Sequence, residues 1–209
     1  MHRQTVKGMK TKDRVIETAF RLIHRQGFNN TSLEDILRES GVGKGNFYHH
    51  FKGKDELGYA ILDRLAFWAT EELGREVFDR GEDPVEQIFR MIDLIASAQR
   101  QAACVGGCPL GNLALEMSDI HDGFRQRIGE ILTRWRGHVS GAILRAQGQG
   151  QLARNVQPER LADFLIAGIE GAILSAKVHK NPSILDGCFD ELKRHLNMYR
   201  SDYQEFQRR

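Results

Sequence analysis

The sequence predicts an all-α protein, and three observations carry that expectation. Apolar residues recur at three- and four-residue spacing through most of the 209-residue chain. No stretch keeps a two-residue alternation for long. The four prolines, Pro84, Pro109, Pro158 and Pro182, fall between helical stretches, where proline opens a helix instead of breaking one. About nine helices are expected: three short ones in an N-terminal module, the rest in a larger C-terminal one.

Taken in order, Thr11 is the expected N-cap of the first helix. Val15, Ala19, Leu22 and Ile23 form its apolar stripe, and Gly27 ends it. Ser32 caps a short second helix with Asp35 three residues on, and Leu33, Ile36 and Leu37 face inward. Gly41 supplies a tight turn and Val42 an apolar plug. A third helix then runs to about His50, with Phe47 and Phe51 on its buried side. Three short helices joined by glycine-bearing turns match the helix-turn-helix plan. A long fourth helix starts near Lys54 and runs toward "DRGEDP". Pro84 opens a fifth helix over about 84–101, on which Ile88, Met91, Ile92 and Ile95 share a face. Pro109 opens a sixth to about Ser118, residues 121–148 form a seventh, and Pro158 and Pro182 open the last two. The expected division is a disordered basic start at 1–10, a helix-turn-helix module at 11–53, and a second module at 54–209.

Composition narrows the function classes. With 41% hydrophobic residues the chain can bury a sizeable core. Its net charge of +2 is unevenly spread: residues 1–56 carry 11 Lys and Arg against 7 Asp and Glu, and the remainder 19 against 21. No apolar run approaches the ~18 residues that span a bilayer, and the start has no apolar signal core, so no membrane role and a cytoplasmic location are expected. Cys104, Cys108 and Cys188 are too few for a disulfide framework.

The stretch "GVGKGNFYHHFKGKDEL" at residues 41–57 carries the sharpest functional signal. It lacks the spacing and preceding strand of a phosphate-binding loop. Its adjacent histidines, about 100° apart on a helix, are poorly placed for one metal ion. A DNA-reading helix explains it better. Gly43, Lys44 and Gly45 let the helix N-terminus approach phosphate, where free N–H groups and the helix dipole favour an anion. Asn46, Tyr48 and His49 project outward, able to reach base edges or phosphate oxygens. Thr31, Ser32 and Lys54 are expected to clamp the DNA backbone on either side.

These residues resemble the TetR/AcrR family of bacterial transcription regulators. The family's recognition helix, roughly G-V-S-K-G-T-L-Y-Y-H-F followed by K-x-K-x-E-L, is close to residues 41–57, and "RVIETAFRLIHRQGFNNTSLEDILRESGV" fits its first two helices. Gly43 and Asn46 replace the usual Ser/Thr and Thr, so operator sequence does not transfer. The resemblance implies a homodimer on a near-palindromic double-stranded operator, with recognition helices ~34 Å apart. It also implies a repressor controlled by a small molecule or electrophile bound in the C-terminal half.

Residues of that half offer candidates for each role. Gly168, Gly171, Ala172 and Ser175 form a low, small-residue surface on the eighth helix, suited to a dimer bundle or to packing within the chain. Glu170 lies among isoleucines and calls for a partner or a ligand. Asn112 and Glu116 share a face, either as a pocket's polar corner or in local hydrogen bonding. Phe67, Trp68, Met91, Ile95, Trp135 and Phe164 are candidate pocket walls or plain core. Cys104 and Cys108 flank a Gly-Gly turn. Cys108, just before a helix, gains thiolate stabilisation from the dipole, which allows a reactive sensor, an inert buried pair, or metal ligation with His121 nearby. No cofactor, metal or catalytic constellation is expected, so the chain is not expected to be an enzyme. The competing readings are a thiol oxidoreductase using Cys104 and Cys108, and an architectural DNA-binding protein without effector.

Overall fold

A computed structural model describes residues 10–79, 81 and 83–201. The expectation of disorder at 1–10 therefore lies outside the described residues, apart from Lys10. Helices make up the described chain: α1 (Thr11–Gln26), α2 (Leu33–Ser40), α3 (Lys44–His50), α4 (Lys54–Phe67), α5 (Pro84–Gln101), α6 (Pro109–Met117), α7 (Asp122–Gly148), α8 (Pro158–His179) and α9 (Pro182–Asn197). The run begun by α4 continues in π-helical turns over Trp68–Glu72 and Gly74–Phe78, which accounts for the long fourth helix expected from sequence. One isolated antiparallel bridge, Leu152 to Arg200, is the non-helical pairing among the described residues.

Local chemistry explains the boundaries. Lys10, not Thr11, occupies the N-cap of α1 and makes no side-chain cap, so this helix starts one residue earlier than its capping residue suggests. Ser32 does cap α2: its Oγ accepts from Asp35 N at 3.0 Å and donates to Asp35 Oδ2 at 2.6 Å. That bond, then the Arg38 guanidinium, holds the Asp35 carboxyl below its ordinary range. Gly41 turns the chain at φ 63°, in the left-handed region open to glycine. Asp83 caps α5 with Pro84 in its first turn, and Asn181 caps α9 likewise.

The chain divides into two compact units. The first holds the chain up to Leu65 together with Asn112–Ile128; the second holds Ala66–Gly111 and the chain from Gly129 onward. This differs from the expected boundary at residue 54. α4 belongs with the first unit because it buries Leu57, Gly58, Ile61 and Leu62 there, and Gly58 leaves room for the rings of Phe28 and Phe124, whose centroids are 4.9 Å apart. In the second unit, α5, α7, α8 and α9 share a core in which Ile88, Met91, Ile92, Val139, Ile143, Leu165, Ile169 and Leu185 are almost wholly buried. α6 is a single helix whose first turn belongs to the second unit and whose remainder belongs to the first.

Candidate nucleic-acid interface and thiol site

α3 separates its residues by role. Phe47 is fully buried and packs edge-on to Tyr48 and against Phe51, at centroid distances of 5.3 and 5.4 Å. Val42 plugs the turn at 4% exposure. Around this anchor Gly43, Lys44, Gly45, Asn46, Tyr48 and His49 are all exposed. Gly43 is the N-cap and offers no side chain, so backbone N–H groups of the first turn stand open toward an incoming anion. The result is a helix held by one aromatic, with cationic and hydrogen-bonding groups on its free face.

The flanking clamp is different from the one expected. Thr31 is 0% exposed, and its hydroxyl donates to Gly27 O at 2.6 Å, so it holds the α1–α2 turn and is out of reach of a phosphate. Lys54 donates to the carbonyls of Phe28 at 2.9 Å and Thr31 at 3.0 Å, with its ammonium 4.5 Å from the Phe28 ring centroid. Its charge satisfies carbonyls of the turn that no helix pairs. Ser32 stays exposed although its hydroxyl is engaged by Asp35. Sequence reasoning missed Lys12, His50 and Lys52, which line a cleft of about 730 Å³ at the end of α3 together with Asp55, Glu56 and Asp63. Lys12 and Lys52 are forty positions apart, and no local pattern connects them.

Of the residues expected to line a pocket, the structure gathers Met91, Ile95, Trp135 and Cys104 into the packed core, with Cys108 against it. Trp135 Nε1 donates to Met91 Sδ at 3.2 Å. Phe67, Trp68 and Phe164 stand instead on the surface, at 57%, 48% and 48% exposure. Glu116 is committed elsewhere: its carboxylate accepts from Phe28 N and Asn29 N, both at 2.7 Å, and lies against Gly27. It caps the α1–α2 turn within the first unit. Asn112 is half-buried near the start of the same helix.

The small-residue surface of α8 also divides. A side chain on Gly168 would collide with Leu192 of α9, and Ala172 is 2% exposed, so these two serve packing within the chain. Gly171 is exposed and Ser175 half-exposed. The open face runs through Phe164, Ala167, Gly171, Leu174 and Val178, a three- and four-residue stripe that includes three large apolar side chains.

Cys104, Cys108 and Cys188 are free thiols. Cys104 sits in the core at 1% exposure with a left-handed backbone, φ 55°. Cys108 is half-buried, and its Sγ accepts from Gly111 N at 3.4 Å in the first turn of α6. The helix N-terminus therefore does favour its thiolate, but burial, followed by the carboxylate of Glu170, outweighs this and pushes the thiol up to about 12. Glu170 is itself raised by burial, tempered by its hydrogen bond with Cys108, and its Oε1 is buried without a hydrogen-bond partner. Among the described residues no group of three or more His, Cys, Asp or Glu is placed to hold a metal ion, and no helix is long and apolar enough to cross a membrane.

A helix-turn-helix unit with an exposed polar third helix, followed by an α-helical second unit, is the plan of a DNA-binding transcription regulator. Residues 15–61 match the family described as bacterial regulatory proteins, tetR family, and residues 84–192 match the tetracyclin repressor-like C-terminal domain. The chain belongs to the TetR family of transcriptional regulators. It is 31% identical to an HTH-type transcriptional regulator in the lacX 3′ region of Lactococcus lactis subsp. lactis, over 88% of this chain and 91% of the relative. It is 29% identical to the HTH-type transcriptional repressor DhaR of Mycobacterium sp. strain GP1, over 84% and 86%. The crystal structure of a TetR transcriptional regulator from Chloroflexus aurantiacus J-10-fl superposes with a TM-score of 0.82 at 26% identity, covering 93% of this chain and 98% of that one.

Proposed function

We propose that this protein is a sequence-specific, cytoplasmic repressor that binds a near-palindromic operator as a homodimer and is released by a small-molecule or electrophilic effector. The exposed face of α3, with Lys44, Asn46, Tyr48 and His49 set over buried Phe47, is the observation that carries the DNA-binding reading. Lys44 and the open N–H groups meet phosphate, while Asn46 and His49 reach base edges. The apolar stripe of α8, with α9 beside it, supplies the dimer face.

Release runs through α6. Cys108 at its start is the thiol an electrophile meets, and Glu116 near its end holds the two N–H groups of the α1–α2 turn. An adduct at Cys108 favours a conformation in which the two recognition helices no longer match operator spacing. An effector shifts that balance only by its differential affinity for the two states.

The test is fluorescence anisotropy of the reduced protein on labelled DNA from upstream of its own gene, with competitor DNA present. It is repeated after treatment with methyl vinyl ketone and with a Cys108→Ser variant. Tight binding lost on treatment of the wild type and kept in the variant is the expected result. Weak binding that ignores sequence would favour an architectural protein. Equal release of both proteins would move the effector site away from Cys108.

A further inference from the structure

The start of α6 and the middle of α8 bring an acid and a thiol into contact. Gly111 has no side chain, and any Cβ there would collide with the Glu170 carboxylate. The glycine lets the carboxyl lie directly on the first turn of α6, hydrogen-bonded to Cys108. One carboxyl oxygen remains buried and unpartnered, an arrangement that costs stability unless a proton or a guest occupies it at some stage. The Cys108 sulfur also receives the Gly111 N–H, so a negative charge on it has a donor in place. Cys108 as a residue is only partly buried at the start of α6.

We propose that Glu170 is the proton relay for addition of Cys108 to α,β-unsaturated carbonyl compounds. This rests on the reading of Cys108 as the responsive thiol and deepens it. The carboxylate takes the thiol proton as the bond from Sγ to the β-carbon forms, and the electron pair of the C=C bond moves to the α-carbon. The carboxyl then delivers a proton to that carbon, leaving a saturated thioether and a carboxylate as at the outset. Nothing is oxidised or reduced. The Gly111 N–H supports the sulfur while charge passes through it.

Such a pair is selective by construction. A thiol held protonated reacts slowly with reagents that need only a free thiolate, such as iodoacetamide. A conjugated carbonyl needs a proton removed at sulfur and one supplied at carbon, and Glu170 does both.

The test follows Cys108 modification in the full-length protein by intact mass and peptide mapping, with methyl vinyl ketone and iodoacetamide as separate probes. Glu170→Gln is expected to slow methyl vinyl ketone addition at pH 7 by tenfold or more, while its iodoacetamide rate is unchanged or raised, because a repelling carboxylate has gone. An equal or faster ketone reaction in Glu170→Gln overturns the proposal, since that is what a merely repulsive carboxylate gives. The wild type supplies a second reading that needs no variant. Its ketone rate is expected to level off above the titration of Glu170, and a tenfold rise per pH unit sustained to pH 9 overturns the relay. Loss of the relay with Cys108-dependent DNA release intact would leave the proposed function standing. Release that ignores Cys108 would remove that function's thiol arm.

Discussion

Lys54 has lost the freedom a phosphate contact needs, because its ammonium ties the Phe28 and Thr31 carbonyls over the Phe28 ring. Glu116 meets the same turn from α6 with the opposite charge, taking the N–H groups of Phe28 and Asn29. A hydrogen bond to a charged group contributes about 1.5–3 kcal/mol, and of the two here the Asn29 bond is solvent-exposed and weaker, so Glu116→Ala should cost on the order of 2 kcal/mol or more in urea denaturation of the protein. A loss below ~0.5 kcal/mol would mean water replaces the carboxylate. Glu170 makes a pH prediction. Burial raises its carboxyl above the ordinary 4.5, so the folded protein keeps a proton the unfolded chain has released. Stability from this group is full below 4.5 and falls as pH rises through the raised value. Relative to the wild type, Glu170→Gln should therefore gain melting temperature across that window and hold its advantage above it. A gap that narrows with rising pH would contradict the sign.

At the scale of elements, the helices were legible because proline, glycine and capping residues mark their ends. α5, α6, α8 and α9 each open at the proline the sequence offers. α3 was legible too, since a glycine at its start and a buried phenylalanine each have a plain physical use there. The flanking residues were not: Thr31 and Lys54 look solvent-directed in sequence, and only the fold shows the turn carbonyls that claim them. The α8 surface was half legible. Small residues announce close approach, yet Gly168 approaches Leu192 of the same chain. α3 yields its own prediction. Lys44→Ala should weaken operator binding broadly and reduce the slope of log affinity against log salt by about one unit, as loss of one phosphate contact does. An unchanged slope in an anisotropy series across salt concentrations would sink the assignment. Asn46 and His49 substitutions should change which sequences a randomised-operator selection returns.

For the whole molecule, the stripe on α8 is the surface that the proposed dimer would use. Phe164, Leu174 and Val178 are about half exposed or more, along one line of a helix whose other face packs in the core. Leu174→Glu with Val178→Glu should give a folded monomer in sedimentation velocity, with helical circular dichroism retained and operator affinity lost along with the second half-site. Sedimentation as a dimer would place the interface elsewhere. The boundary between units was the part least legible in sequence. Residues 112–128 join the first unit through contacts such as Glu116 and Phe124 that lie more than eighty positions from their partners.

The order of residues along that stripe has a consequence for company. In the proposed dimer, with a two-fold axis near Gly171, Ala167 falls opposite Leu174 of the partner subunit and Phe164 opposite Val178 of the partner subunit. The small Ala167 then meets the larger Leu174, apolar side chains meet at Phe164 and Val178, and Gly171 leaves room near the axis. A sister regulator in the same cell, folded alike but with bulk where this chain has Ala167 or Gly171, would set bulk on bulk. In that dimer one line of five residues would keep this regulator's circuit insulated from its relatives, without any difference in fold.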